Sequence, residues 1–156
     1  MSHVAYIGVG SNLGDRRKNC LDAIRSIEAS GDIFVVKVSG WFDTPPEDIS
    51  IGQSNFINGV VKVKTSLSPR SLLTRLMDVE ELMGRPRVRE KGMPRTIDLD
   101  ILIYDDIILE EEDLKIPHPL LHKRLFVLRP LCDIDPSLVH PVLGVSVEEL
   151  LRRLVG

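Results

Sequence analysis

The sequence predicts an α+β fold in which two helices pack against one antiparallel sheet. The chain has 156 residues, of which 43% are hydrophobic and 28% are charged, and this composition is typical of one globular domain. Its apolar segments alternate between strand-like and helical spacing in the order β-α-β-β-α-β, which is the pattern of the ferredoxin-like sandwich. A further helix pattern closes the chain. We therefore expect a single domain over residues 1–156, with helices on one face of the sheet and extra C-terminal strands and a helix.

The first half of the chain contains three predicted strands and one helix. A continuous apolar run, a stretch with apolar residues three and four apart, and two segments rich in β-branched residues indicate these elements. The spacing predicts, in order, a strand over 4–9, a helix over 15–30, and strands over 33–42 and 56–64. Prolines in the Thr44-Pro45-Pro46 segment predict a loop before the third strand, because proline cannot continue a strand ladder.

The second half begins with a strong helix start. Ser68 is a good N-cap and Pro69 suits the first helical position, and the helix is expected to stop at Gly84. The later elements are a strand over 97–104, a short hairpin over 107–116, and a last helix that starts at the Ser146–Glu149 capping box.

Composition and charge exclude several classes of protein. Twenty basic and 23 acidic side chains give a net charge of −3, which argues against a general nucleic-acid binder. No apolar run approaches the ~18 residues of a membrane span, and the first ten residues do not resemble a signal peptide. Cys20 and Cys132 form no CxxC motif, so we expect a reducing, cytoplasmic environment.

Two carboxylates on the fourth long strand are the first candidate site. Asp98 and Asp100 are two residues apart, so in a strand they point to the same face, with Cα atoms ~6.6 Å apart. Carboxylates beside the apolar residues of this strand need neutralisation, and Mg²⁺ is a natural partner because it favours oxygen ligands. The alternative is a solvent-facing strand end whose acids pair with nearby arginines.

A basic segment precedes this pair. Residues 85–95, RPRVREKGMPR, contain five basic side chains and one acidic side chain. Arginine binds phosphate oxygens bidentately, so a polyphosphate with a metal ion between it and the carboxylates would explain both signs of charge. A solvated loop that pairs directly with the aspartates is the alternative, but the two features together favour phosphate chemistry.

Two other clusters could bind ligands. Phe56 and Asn58 share one strand face, where a ring and an amide could stack on and hydrogen-bond a flat heterocycle, although a phenylalanine in the core would give the same spacing. His118 and His122 are four residues apart, but no third zinc ligand is evident nearby. We therefore interpret His118 as a hydrogen-bond donor to an anion.

The segment Pro94-Arg95-Thr96-Ile97-Asp98-Leu99-Asp100-Ile101 resembles the PRTxDLDI signature of the 6-hydroxymethyl-7,8-dihydropterin pyrophosphokinase family. Five further landmarks follow the order of that family along nearly the whole chain. They are Gly10-Ser11-Asn12-Leu13-Gly14, Thr44-Pro45-Pro46, Phe56-Ile57-Asn58, Gly84-Arg85-Pro86-Arg87, and Pro117-His118-Pro119 through Arg124-x-Phe126. The chain departs from the family at Gly92-Met93, where Trp-Gly is common, so the family's aromatic cover over the substrates is missing at this position.

The resemblance implies an enzyme that transfers pyrophosphate from ATP to the hydroxymethyl group of the pterin and releases AMP, in folate biosynthesis. It implies that Asp98 and Asp100 hold two Mg²⁺ ions on the triphosphate and that Arg85 and Arg95 close over the phosphates. The nucleotide side would be lined by Glu80, Arg87, Lys91, Ile101, His118 and Arg124. The pterin would lie between Phe56 and Phe126, with Asn58, Thr44 and Pro45 at its edge. The expected partners are these small molecules, with no nucleic acid or membrane, and the expected state is a monomer.

Two other functions remain as alternatives. A minimal nucleotidyltransferase also combines a Gly-Ser turn with a DxD motif, but there the two lie about a dozen residues apart, whereas Ser11 and Asp98 are separated by most of the chain. A non-enzymatic ferredoxin-like module could use the basic segment to bind RNA, but such a module would not need Asp98 and Asp100.

Overall fold

A computed structural model describes residues 2–45, 55–84 and 96–156. The strands are β1 (His3–Ser11), β2 (Ile33–Val38), β3 (Phe42–Thr44), β4 (Phe56–Thr65), β5 (Asp98–Tyr104), β6 (Leu109–Glu110) and β7 (Lys115–Ile116). The helices are α1 (Arg16–Ala29), α2 (Pro69–Leu82), α3 (Leu125–Ile134) and α4 (Val147–Val155), and a short 3₁₀ helix (Leu121–Lys123) precedes α3. None of the helices within these ranges is long and apolar enough to cross a bilayer.

The main sheet has the strand order β2-β4-β1-β5, and β3 pairs with the end of β4. All of these pairings are antiparallel. With α1 after β1 and α2 after β4, this is the ferredoxin-like order that the sequence predicted. The predicted hairpin is also confirmed, since β6 pairs with β7.

Three helices begin at capping side chains. Asp15 accepts a hydrogen bond from the Lys18 N–H at the start of α1, and Ser68 accepts one from the Ser71 N–H at the start of α2. Ser146 accepts one from the Glu149 N–H before α4. Each cap stabilises its helix by ~1 kcal/mol, because it satisfies an amide that has no partner within the helix.

One face of the sheet packs against α1 and α2. The largest fully buried side chains of this cluster are Ile7, Ile27, Ile33, Leu72, Leu76, Ile97, Tyr104 and Ile116. Cys20, Ala23, Ile24 and Ile27 form the buried stripe of α1, as their spacing predicted. This apolar cluster is the main core of the domain.

The other face of the sheet carries a helix that the sequence analysis missed. The expectation of helices on one face was incomplete, because α3 and α4 form a second apolar cluster with Tyr6, Val60 and Leu102. Helix α3 was missed because it contains Pro130, and a proline in a helix interior normally argues against a helix. Burial of its apolar stripe outweighs this cost. The stripe comprises Val127, Leu128, Leu131 and Ile134.

The single strand predicted over 33–42 is broken in the structure. Strand β2 ends at Val38, and the chain bends before β3 begins at Phe42. At the bend, the Ser39 hydroxyl accepts a hydrogen bond from the Val60 N–H at 2.8 Å, and the Gly40 N–H donates to Asp133 Oδ2 at 2.6 Å. These bonds satisfy backbone groups at the point where the ladder is interrupted, so the break costs little.

Candidate active site

Strand register brings the predicted site residues into one row across the sheet. Phe42 is the partner of Asn58, Asn58 is the partner of Gly10, and Gly10 is the partner of Asp98. Side chains of directly paired residues lie on the same face of a sheet, so Asn58 and Asp98 face the same space on either side of Gly10. Asp100 lies in the next such row.

Gly10 is needed because the Asn58 side chain lies above it. A Cβ atom added at Gly10 would lie 2.7 Å from Asn58 Oδ1 and 3.6 Å from Phe56 Cδ1. The Asn58 amide in turn donates a hydrogen bond from Nδ2 to Thr44 Oγ1 at 2.6 Å. The amide, the ring and the hydroxyl therefore lie together beside Gly10, and we refer to this group of residues as the pterin pocket of the proposed function.

The two aspartates alternate with a buried residue on strand β5. Asp98 and Asp100 are half-buried, whereas Leu99 between them is buried in the main core. The partners of Asp98 and Asp100 on β1 are Gly10 and Gly8, so no β1 side chain stands beside either carboxylate in its row. In these two rows the carboxylates therefore do not compete for space with a side chain of β1.

A buried glutamate from α2 holds the backbone of this segment. Glu80 is 2% exposed, and its Oε2 accepts a hydrogen bond from the Leu99 N–H at 2.8 Å. Strand β5 lies at the edge of the main sheet, so this amide has the glutamate as a partner in place of a neighbouring strand. Glu80 thereby fixes the backbone between Asp98 and Asp100.

His118 lies within the electrostatic influence of the Asp98 carboxylate. Its backbone N–H donates to the Leu102 carbonyl at 2.9 Å, and its ring Nδ1 accepts from the Leu120 N–H at 3.1 Å. Burial and the positive charge of Arg124 lower the pKa of His118 to about 4, against an opposing effect of Asp98. At neutral pH the ring is therefore uncharged and carries its proton on Nε2, where it can donate to an anion.

Arg124 and Phe126 occupy the start of α3. Arg124 is the N-cap residue, and its guanidinium lies 5.3 Å from the centroid of the Phe126 ring. Phe126 is half-buried and packs against the second apolar cluster. Helix α3 also contacts β3 and β4, the strands that carry Thr44 and Asn58.

The donor set fits a hard divalent cation. Within the described ranges no three or more histidine, cysteine, aspartate or glutamate side chains are grouped as a metal site. Two carboxylates on one face suit Mg²⁺, which usually binds one or two protein carboxylates and takes its other ligands from water and phosphates. A fully protein-ligated zinc site is not formed by these residues.

The predicted site residues fall into three groups. Strand pairing places Thr44, Phe56, Asn58, Asp98 and Asp100 on one face of the sheet. The charges of Asp98 and Arg124 act on His118, and Arg124 lies over the Phe126 ring. Ile101 is 5% exposed and its side chain lies in the main core, while Glu80 contacts the backbone of β5. Arg85, Arg87, Lys91 and Arg95 lie outside the described residues, and Pro45 is exposed at the end of a described range.

Sequence reasoning missed the part played by Gly8 and Gly10. The glycines match neither GxGxxG nor a Walker loop, so they carried no argument about phosphate binding. Their spacing of two residues within an apolar strand was the available signal, because glycine in a strand often marks a close approach of another group. The structure places that approach opposite Asp100 and Asp98.

The fold and this row of residues define a ferredoxin-like protein with an acidic pair beside an aromatic and amide pocket on one sheet face. Residues 6–136 match the model of the family described as 7,8-dihydro-6-hydroxymethylpterin-pyrophosphokinase. The chain belongs to this family, as its signature segment predicted.

Named relatives agree with this assignment. The 2-amino-4-hydroxy-6-hydroxymethyldihydropteridine pyrophosphokinase of Aquifex aeolicus is 41% identical over 144 residues, which cover 92% of this chain and 88% of that protein. The folic acid synthesis protein fol1 of Pneumocystis carinii is 45% identical over 154 residues, 99% of this chain but 20% of that protein. The chain thus spans about one fifth of the length of this longer relative.

A solved structure has the same fold. The wild-type HPPK-DHPS of Plasmodium falciparum with pteroate matches with a TM-score of 0.79 and 18% identity, over 99% of this chain and 43% of that one. At this identity the match supports the ferredoxin-like architecture and its C-terminal additions.

Proposed function

We propose that this chain transfers pyrophosphate from MgATP to the hydroxymethyl group of 6-hydroxymethyl-7,8-dihydropterin and releases AMP. Membership of the family supports the reaction. The observation that carries the proposal is the row Asn58–Gly10–Asp98, because it joins a pocket for a flat heterocycle to a carboxylate pair suited to a metal-bound phosphate. The two substrates would then meet above Gly10.

The pterin side would consist of the pocket around Asn58. The Asn58 amide and Thr44 would read the polar edge of the heterocycle, while Phe56 would stack on its face and Pro45 would close its margin. Phe126, held by the start of α3, would supply the second ring. An amide that is already hydrogen-bonded to Thr44 Oγ1 has a fixed orientation, which reduces the entropy lost on binding.

The nucleotide side would consist of Asp98 and Asp100 with groups around them. The two carboxylates would hold two Mg²⁺ ions, which neutralise the charge on the triphosphate. His118 would donate from Nε2 to a phosphate oxygen, and Arg124 would add a fixed positive charge. Arg87 and Lys91 are further candidates from the basic segment. The side chain of Ile101 lies in the core, so its contribution would come from its backbone.

The reaction requires positioning more than covalent chemistry by the protein. The hydroxyl oxygen of the pterin forms a bond to the β-phosphorus of ATP and loses its proton, and the bond from that phosphorus to the oxygen of the α-phosphate breaks, so that AMP leaves. Arg85 and Arg95 would neutralise the charge that develops on the transferred group. Glu80 would act by holding the backbone between the two aspartates.

The proposed function also includes a cellular compartment and a set of binding partners. A net charge of −3 disfavours a nucleic-acid partner, and both cysteines are free thiols, which suits a reducing cytoplasm. We propose that the chain acts as a monomer on small molecules.

Production of AMP from MgATP, with and without the hydroxymethyl pterin, tests the proposed function. We expect stoichiometric AMP and pterin pyrophosphate only when both substrates are present. Release of inorganic pyrophosphate with transfer of AMP would instead indicate the nucleotidyltransferase. Binding of RNA with no pterin-dependent AMP would indicate the non-enzymatic module.

A further inference from the structure

Arg16, the first residue of α1, bridges two chain segments that are far apart in sequence. Its Nη1 donates to the backbone carbonyl of Asn55 at 2.7 Å, and its Nη2 lies 3.3 Å from Asp43 Oδ2. A longer contact of 3.5 Å joins Nη1 to Asp43 Oδ1. One guanidinium thus holds a side chain of β3 and the backbone that leads into β4.

Both segments lead directly into the proposed pterin pocket. Asp43 precedes Thr44 and Asn55 precedes Phe56, and Thr44 and Phe56 are partners in the last pair of the β3–β4 ladder. Strand β3 has three residues, so few ladder hydrogen bonds hold this end of the sheet. A shift of β3 along β4 would move the Thr44 hydroxyl away from the Asn58 amide.

We propose that Arg16 is a positioning residue for the pterin pocket, which it aligns by holding β3 and β4 together at Asp43 and Asn55. This inference rests on the proposed function, since it assigns Arg16 a role in binding the pterin and not the nucleotide. Arg16 itself does not lie in the row of residues that forms the pocket.

The start of α1 gives Arg16 a firm base. Asp15 caps the helix, and the Asn19 side chain donates to the Leu13 carbonyl at 2.8 Å, so the turn before Arg16 is held from both sides. The side chain then lies along a surface concavity of about 490 Å³, lined by Asn12, Leu13, Gly14, Arg16, Asp43 and Asn55. Arg16 can align the two strands only if its own backbone is held in place, and that backbone belongs to a packed helix.

The planar guanidinium suits this task better than an ammonium group. It offers several N–H donors in a fixed fork, so it can bind a carboxylate and a carbonyl at once, whereas lysine presents a point charge on a flexible chain. An exposed ion pair with Asp43 alone would contribute little, because solvent screens it. The additional bond to the Asn55 backbone is what links the two strands.

The test compares Arg16→Ala and Arg16→Lys with Arg17→Ala as the matched control. Arg17 is the next residue of α1, is exposed, and makes no ion pair among the described residues. Dissociation constants for a pterin analogue and for the Mg²⁺ complex of a non-hydrolysable ATP analogue are measured separately by calorimetry, well below each melting temperature. Hydrogen exchange at the amides of 42–44 and 56–58 is measured on the same proteins.

We expect Arg16→Ala to weaken pterin binding about tenfold, the size of effect that follows loss of one charge-assisted contact, with nucleotide affinity within about twofold of wild type. Exchange in both strand segments should accelerate. Arg16→Lys should recover part of the affinity, and Arg17→Ala should match wild type in every measurement.

Unchanged pterin affinity in Arg16→Ala, or an equal loss for both ligands, would overturn the role in positioning. A variant that melts lower but binds the pterin normally would show that Arg16 serves stability alone. Failure of the proposed function is distinguished by the wild-type protein, which would then bind no pterin and release no pterin-dependent AMP.

Discussion

The two faces of the main sheet are built differently. The face against α1 and α2 is mainly apolar, with Ile7, Leu72 and Leu76 fully buried, although Glu80 is buried in the same layer. The opposite face is apolar where α3 and α4 cover it, around Leu102 and Leu128, but its rows toward Asp98 carry glycine and polar side chains. One face therefore contributes mainly to the core, whereas among the described residues the other face carries both a second apolar cluster and the proposed site.

The second face is also joined to its helices by polar contacts. Asp135, which follows α3, accepts hydrogen bonds from the Tyr6 hydroxyl and from Lys62 Nζ, the latter at 2.8 Å. These contacts hold the C-terminal end of α3 to the sheet, while its N-terminal end carries Arg124 and Phe126, which are proposed to bind the substrates. Polar side chains on this face thus include both structural pairs and the carboxylates of the proposed site, whereas the first face has few buried polar side chains.

The largest expected effect is a loss of turnover caused by a change at the proposed metal site on the second face. Asp98→Asn removes one negative charge from the proposed metal site, and we expect turnover to fall about a thousandfold, equivalent to ~4 kcal/mol of transition-state stabilisation. The rise in melting temperature that wild type shows with the Mg²⁺ complex of an ATP analogue should largely disappear, because binding stabilises only a competent native state.

The control for this change is Asp106→Asn, at an exposed aspartate in the turn after β5. It should retain both turnover and the ligand-induced rise in melting temperature. Normal activity in Asp98→Asn would contradict the role of this carboxylate.

The second prediction concerns the stability provided by the face that packs against α1 and α2. Leu72 is fully buried on α2, so Leu72→Ala should lower the free energy of unfolding by ~3 kcal/mol through lost burial and the cavity left behind. Because Leu72 lies in the main core and is not among the proposed site residues, the KM values of the folded variant should be close to those of wild type. Urea unfolding and steady-state kinetics at low temperature measure both.

Leu82→Ala is the matched control, since Leu82 ends the same helix at 84% exposure. Its effect on stability should be below ~0.5 kcal/mol. A large change in KM for Leu72→Ala alone would mean that packing on the first face affects substrate binding on the second face.

The third prediction concerns the polar junction of α3 with the sheet. Burial would raise the pKa of Asp135, but hydrogen bonds from Lys62 and Tyr6 outweigh it, and the pKa of this carboxyl is below its ordinary value. A carboxyl with a lowered folded-state pKa adds stability above its unfolded pKa, and this stability is lost as pH falls through the folded value. Asp135→Asn should therefore cost ~2 kcal/mol at pH 7, and the difference should shrink below about pH 4.

Denaturant unfolding of both proteins between pH 7 and pH 3 measures this difference. The Asp106→Asn control should show no such trend. A difference that stays constant down to the lowest pH would mean that the contribution of Asp135 does not come from its charge.

The two faces of the sheet also differ in how much of their structure could be predicted from the sequence. Periodicity located α1 and α2, and Ser68 with Pro69 marked a helix start, because these signals are local. Helix α3 was missed because Pro130 argues against a helix locally, and only burial against the sheet reverses that preference. The proximity of Asn58 and Asp98 depends on strand register across Gly10, which no local pattern specifies, so it came from resemblance to the family.

The smallest expected effect is that of changing Phe126, which packs against the second apolar cluster and is also proposed to bind the pterin. Its ring packs against the apolar cluster and also lies under the Arg124 guanidinium. If it stacks on the pterin, Phe126→Ala should weaken pterin binding by ~0.5–1.5 kcal/mol beyond simple burial, while affinity for the nucleotide stays within about twofold. Phe126→Leu keeps most of the apolar volume but removes the aromatic face, so it should retain stability better than Phe126→Ala and still bind the pterin weakly. Calorimetry with each ligand and a thermal melt of each variant separate the two contributions. If Phe126→Leu bound the pterin as well as wild type does, the ring would be acting as part of the apolar cluster, and the boundary between packed and open regions would lie nearer to Asp98.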